Sequence, residues 1–292
     1  MRKTLVELFE KAIVFEYILP NGSINKSSIT NDNDYVFSNP AASDFSLLIY
    51  NSILDLAFED YKIDLTKLND LQIEALEYFI KYDSTNPDNE KYGFLGETIL
   101  NVLLQCFFNT DVLVARGNFY SPLDNSEPHG FDSHHFIVRN NKIELWCGEA
   151  KFYRSYSEAV KKIIQNINRN LSRQYLSNNF IHIVKNKYPL ATLNATAKAF
   201  IELIQDQPPK SISELIEKYK PKVVYPALVI CDELSTHFTI QKMVERIDKE
   251  LEDNPILNEI NATIFFIFIP VNDSSIIKKE VLNWIKIKKT LI

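Results

Sequence analysis

Apolar and polar positions follow two different periods along this chain. Phe94 to Phe108 (FLGETILNVLLQCFF) is apolar nearly all round, the pattern of a buried helix. Ser157 to about Leu176 instead lines up Val160, Ile163, Ile164, Ile167 and Leu171 on one stripe, which predicts an amphipathic helix. Between them, Val112 to Ala115 reads as a short strand. Phe136 to Val138 and Ile143 to Phe152 flank Arg139-Asn140-Asn141-Lys142, and Asn tolerates the positive φ of a tight turn, so a β-hairpin is expected. Val223 to Cys231 and Thr263 to Ile269 read as further strands, with Pro226 marking an irregularity or an edge. Helices are expected around Thr239 to Leu251 and, with a basic character, from Ser274 to about Lys289. This order predicts an α/β fold with a mixed sheet.

The first 90 residues have another texture. Helical patterns cover about Asp44 to Leu56 and Leu65 to Tyr82, while Asn21 to Asn39 is polar and reads as loop. The turn-rich stretch Ser84 to Glu90 (STNPDNE) marks a boundary. Residues 1–90 hold seven basic and sixteen acidic side chains, a balance of −9, whereas residues 91–292 hold 25 and 22, a balance of +3. The expected organisation is an acidic, mostly helical part over 1–90 and an α/β domain over 91–292. That domain carries a helical insertion at about 179–221, broken at Pro208-Pro209.

Composition narrows the class. With 46% hydrophobic and 24% charged residues the chain is neither disordered nor fibrous. Its longest apolar candidate for a membrane span, Ile264 to Ile269, is only strand-sized. Glu7 and Glu10 stand where a signal peptide would be apolar. Cys106, Cys147 and Cys231 form neither a disulfide framework nor a zinc pattern, so a soluble cytoplasmic protein without a membrane partner is expected. A net charge of −6 argues against a general nucleic-acid coat protein. Even so, Arg154, Lys161, Lys162, Arg169 and Arg173 face one acid, Glu158, over a short segment. This stripe reads either as a phosphate-contacting surface or as a solvated helix face.

The chemistry concentrates in two short segments. Gly130-Phe131-Asp132 precedes the hairpin, and Gly148-Glu149-Ala150-Lys151 lies late in its second strand. Side chains alternate across a strand, so Glu149 and Lys151 share one face. The hairpin folds Asp132 back toward them, and two carboxylates and a lysine are expected to meet at a sheet edge. Leu145 and Cys147 lie on that same face, which therefore turns from apolar to charged, as a cleft floor does. The competing reading is a surface ion pair. Two hard oxygen ligands suit Mg²⁺, or Mn²⁺ in its place; such an ion lowers the pKa of bound water and neutralises charge on a phosphodiester. Lys151 is then placed to hold the attacking hydroxide or the transition-state oxygens. His129, His134 and His135 match no standard zinc spacing; a phosphate contact is the better use for one of them. Gln165 and Gln174-Tyr175 either touch DNA or cap and pack their helix. Asp232-Glu233 reads as loop entry rather than as a second metal site.

Asp132 followed across a hairpin by Glu149-Ala150-Lys151 resembles the signature of the PD-(D/E)xK nucleases, with Gly-Phe standing where many members have Pro before the Asp. The wider context (GFLGE, HGFD, then GEAKFY and a helix) is similar to the HamA family, the nuclease subunits of the two-gene Hachiman anti-phage system. The resemblance covers roughly residues 91–180. It implies a restriction-endonuclease-like core, a metal held by Asp132, Glu149 and the Ala150 carbonyl, and Lys151 assisting the nucleophile. It also implies a further ligand, Glu97, on the preceding helix. Its implied activity is Mg²⁺-dependent DNA cleavage by in-line attack, leaving a 5′-phosphate and a 3′-hydroxyl. Its implied partner is a superfamily-2 helicase (HamB-like) that holds the nuclease in check. The charge asymmetry, not the resemblance, then suggests residues 1–90 as partner surface or as shield for the basic cleft. Two other readings share parts of this pattern: a non-catalytic DNA-binding or adaptor subunit, and a stand-alone restriction endonuclease.

Overall fold

Two apolar runs become the centre of the sheet. In a computed structural model the described residues are 3–19, 34–39, 41–58, 63–79, 93–119, 131–139, 142–170, 195–206, 212–232, 242, 245–246, 249 and 262–290. Among them, strands β6 (Lys222–Cys231) and β7 (Ala262–Pro270) pair in parallel from Val223↔Ala262 to Cys231↔Pro270. Nearly every side chain of both is buried, as continuous Val, Ile and Phe runs require in a sheet covered on both faces. Strand β5 (Lys142–Tyr153) pairs in parallel with the other side of β6 and antiparallel with β4 (Ser133–Arg139), which holds the two-residue β3 (Asp111–Val112).

On the far side, β2 (Asp34–Ser38) joins β7 in parallel through Tyr35↔Ile267 and Val36↔Phe268, and β1 (Val14–Leu19) closes that end antiparallel to β2. The order is β1-β2-β7-β6-β5-β4-β3, a seven-stranded mixed sheet. The fold is thus α/β, as expected. One face is covered by α1 (Lys3–Ala12), α2 (Ala42–Ala57), α4 (Phe94–Cys106) and the C-terminal helix α8 (Ser274–Thr290), with α3 (Leu68–Phe79) packed on α2. Phe45, Leu48, Ile99, Leu103, Trp146, Leu228, Ile267 and Val281 share one core there. Each such side chain contributes roughly 1.5–3 kcal/mol by leaving water. The opposite face takes α5 (Tyr156–Asn170), through Ala159, Val160, Ile163 and Ile167, and α6 (Ala195–Asp206), whose Phe200 ring lies 6.3 Å from that of Phe136. The short helix α7 (Ile212–Tyr219) leads into β6.

Several expectations change. Asn21 to Asn39 is not loop throughout: Tyr35-Val36-Phe37 forms the strand that carries the first 90 residues into the sheet, so their helix-rich part also supplies β1 and β2. Asp34 stabilises the junction by accepting the Phe266 N–H at 3.0 Å. Leu65–Lys67 is a 3-10 turn rather than the start of the helix, because Asp64 accepts the Thr66 N–H and caps it. Beyond Val112 the chain bends, and the Leu113 and Val114 amides both turn to the His134 carbonyl. Pro226 is no edge residue but lies in the central strand. The irregularity is real, since the β5 ladder skips from Trp146↔Val224 to Glu149↔Ala227 and Gly148 leaves room beside the proline ring. Ser84 to Glu90, the Asn140-Asn141 turn, Pro208-Pro209, residues 179–194 and most of Thr239 to Leu251 lie outside the described residues.

Candidate active site

Unequal strand lengths create the site. The β4–β5 ladder runs from Arg139↔Lys142 to Ser133↔Gly148 and stops, while β5 continues to Tyr153 with β6 as its one paired strand among the described residues. The strand edge thus exposed is taken over by Asp132, the residue before β4. Its own N–H donates to the Gly148 carbonyl (2.9 Å), and its Oδ2 accepts the Ala150 N–H at 2.8 Å. Ser133 Oγ accepts the Gly148 N–H at 3.0 Å and fixes the same corner.

Lys151 turns back into this notch. Its ammonium donates to the Glu149 carboxylate and to the Ala150 carbonyl (2.9 Å), and lies 3.8 Å from Asp132 Oδ2. From α5, Asn166 donates to Glu149 as well. Glu149 is only 2% exposed and Asp132 8%. Burial, and then the charge of Asp132, push the Glu149 carboxyl up to about 7 against the opposing pull of Lys151 and Asn166. Burial draws the Lys151 ammonium down, but Asp132 and Glu149 outweigh it and the net shift is upward. The expected trio therefore meets, buried where β5 outruns β4 and not on an outer strand.

Glu97 is placed differently. Alternation along β5 sets Ala150 and Phe152 against α4 on one face and Glu149 with α5 on the other. A Cβ on Gly96 would lie 3.4 Å from the Cβ atoms of Ala150 and Phe152, so α4 sits close on that first face. There the Glu97 carboxylate pairs with Arg116 Nε at 3.0 Å, and the same guanidinium reaches the Phe131 carbonyl at 3.4 Å.

Of the three histidines, His135 is buried in a polar rod that a phosphate cannot reach. Asn101 Oδ1 and Thr110 Oγ1 each lie 2.9 Å from a ring nitrogen, and Asn101 in turn donates to the Asp55 carbonyl. Burial lowers its pKa to about 3, so it is neutral; Nε2–H donates to Asn101 and Nδ1 accepts from Thr110. His134 is buried edge-on against Phe131, and His129 lies outside the described residues. Asp232 accepts the Ser274 N–H at 2.7 Å and caps α8, while Glu233 lies outside the described residues. Arg154, Lys161 and Lys162 are exposed, with Arg154 3.8 Å from Asp232; the Arg169 side chain, Arg173, Gln174 and Tyr175 are outside the description. Cys106, Cys147 and Cys231 form no disulfide with one another.

Two residues of the site escaped the sequence reading. Gln165 is exposed, and its neighbour Asn166 is the one that reaches Glu149. The signal was a polar residue three after Ile163 on the buried side of an amphipathic helix. Arg116 follows the apolar run Leu113-Val-Ala115, where a buried guanidinium must find an acid.

Asp132 Oδ2, Glu149 Oε1 and the Ala150 carbonyl thus gather around a single positive charge, that of Lys151. Among the described residues no three His, Cys, Asp or Glu side chains form a metal-holding group. Two carboxylates and a carbonyl are nevertheless the hard oxygen set that suits Mg²⁺ or Mn²⁺, which take only one or two carboxylates and complete their shell with water and phosphate. The residues fit such an ion.

Fold and cluster together define a mixed-sheet α/β protein with a buried acid–acid–lysine site at a strand overhang. Within that class the chain belongs to the HamA family, which it matches over residues 7–285, and it is a Hachiman-type defence protein. No curated protein matches it. No described helix is long and apolar enough to cross a membrane.

Proposed function

We propose that this chain is the nuclease effector of a Hachiman defence pair, a Mg²⁺-dependent DNA endonuclease gated by a superfamily-2 helicase. The observation that carries the reading is the convergence of Asp132, Glu149 and the Ala150 carbonyl on the Lys151 ammonium. Asp132, Glu149 and Ala150 hold the ion, which when bound supplies Lewis acidity and offsets phosphodiester charge. Asn166 keeps the Glu149 carboxylate aimed into the notch. Lys151 releases its carboxylate contacts and donates instead to the oxygens on which charge builds during in-line attack at phosphorus. Exposed Arg154, Lys161 and Lys162 on and before α5 give the backbone of DNA a positive surface beside the notch. The acidic side chains of the N-terminal part, among them exposed Glu7, Glu10, Asp70 and Glu74, face the helicase and are too negative to compete for DNA.

Supercoiled plasmid with Mg²⁺ or Mn²⁺ tests this, with wild type and Lys151→Ala each assayed alone and with the helicase. Wild type is expected to nick and linearise the plasmid, and Lys151→Ala to lose at least a hundredfold in rate with an unchanged melting curve. Cleavage unaffected by the substitution, or none by wild type in either format, overturns the assignment. Discrete bands would replace it with a sequence-specific restriction enzyme.

A further inference from the structure

A buried guanidinium tied to two different elements at once is an expensive arrangement unless its geometry is used. Arg116 is 8% exposed, opens the 3-10 turn Arg116–Phe119, and spans Glu97 on α4 and the carbonyl of Phe131. Phe131 is the residue before Asp132, whose carboxylate has to close on the Ala150 amide. We infer that Arg116 is the positioning residue of the site, a clamp that fixes the Phe131 carbonyl against α4 and so sets where the Asp132 carboxylate lies. Its burial separates it from Arg154, Lys161 and Lys162: a guanidinium so enclosed does not meet a phosphate backbone. In this clamp Glu97 anchors Arg116 to α4. Only arginine can do this. Two different nitrogens of one planar fork, Nε and Nη1, reach the two acceptors, whereas the single nitrogen of a lysine would have to choose.

The consequence for catalysis rests on the nuclease reading above, but the placement of Asp132 can be read without it. Arg116→Lys in the full chain keeps the charge and removes the fork. Hydrogen exchange of the Ala150 amide is expected to speed up at least tenfold while the slow amides of β6 and β7 keep their rates. Affinity for MnCl₂ alone is expected to fall by about the same factor. Unchanged Ala150 protection overturns the inference, and so does an equal acceleration at every core amide, which would make Arg116 a general stabiliser. If Arg116→Lys does not fold, Glu97→Gln, which retains an acceptor for Nε but loses the charge, is read in the same way with a severalfold effect expected. Wild type that neither binds Mn²⁺ nor cuts DNA would remove the nuclease function, and the Ala150 amide would still decide the role of Arg116.

Discussion

Glu149 carries the largest electrostatic tension among the acids of the site. In the unfolded chain it titrates like an ordinary glutamate, near 4.3. In the folded chain burial and Asp132 raise it to about 7. The native state therefore binds the proton more tightly, and the stability this confers is complete below the unfolded value and lost as pH rises through the folded one. Metal-free wild type is expected to lose up to about 3 kcal/mol between pH 4 and pH 8, and Glu149→Gln to flatten that slope. Urea titrations at several pH values measure both; parallel profiles for the two proteins would contradict the assignment. Asp132, Glu149 and Lys151 were legible in the sequence because residue type and strand alternation suffice to bring them together. Arg116 and Asn166 were not, since each becomes meaningful only against an acid supplied by another element.

Gly148 and Gly96 both give β5 room, on different terms. A Cβ at Gly148 would fall 2.8 Å from Pro226 Cγ and from Ser133 Oγ, and 2.9 Å from the Pro226 carbonyl. At Gly96 the nearest atoms are at 3.4 Å, ordinary contact. Gly148→Ala is therefore expected to cost about 1–3 kcal/mol by overpacking, against well under 1 kcal/mol for Gly96→Ala. Denaturant midpoints rank the two, and the reverse ranking would mean that Pro226 gives way easily. The same pair shows why element-level reading stopped short. A proline in an apolar run argues for an edge unless a glycine 78 residues earlier in the chain makes space for it. Likewise Tyr35-Val36-Phe37 is too short, and too closely flanked by Asn, Asp and Ser, to signal a strand by itself; its partner β7 lies some 230 residues further on. The hairpin and the helices expected at about 44–56, 65–82, 94–108, 157–176 and 274–289, whose periodicity is local, match to within a few residues where they are described, whereas α1 and β1 at the start of the chain were not read at all.

The molecule as a whole is interleaved. α2 packs between α1, α4 and α8, Ser46 reaches the Ile277 carbonyl at 3.5 Å, and β2 leans on β7. The acidic first third is accordingly expected to unfold together with the rest in one transition. A chain beginning at residue 91 would uncover the core around Trp146, Phe265 and Ile267 and is expected to aggregate. Size-exclusion chromatography and calorimetry check both statements; a monodisperse, cooperatively melting 91–292 chain would show that residues 1–90 are an appendage. The interleaving also sets a schedule for synthesis. β4 and β5 emerge from the ribosome as neighbours, but β6, which flanks the overhang, follows about seventy residues later, and α8 comes last. A chain that terminates before residue 222 carries Asp132, Glu149 and Lys151 without the strand that seats them, so the site cannot assemble until β6 has been made.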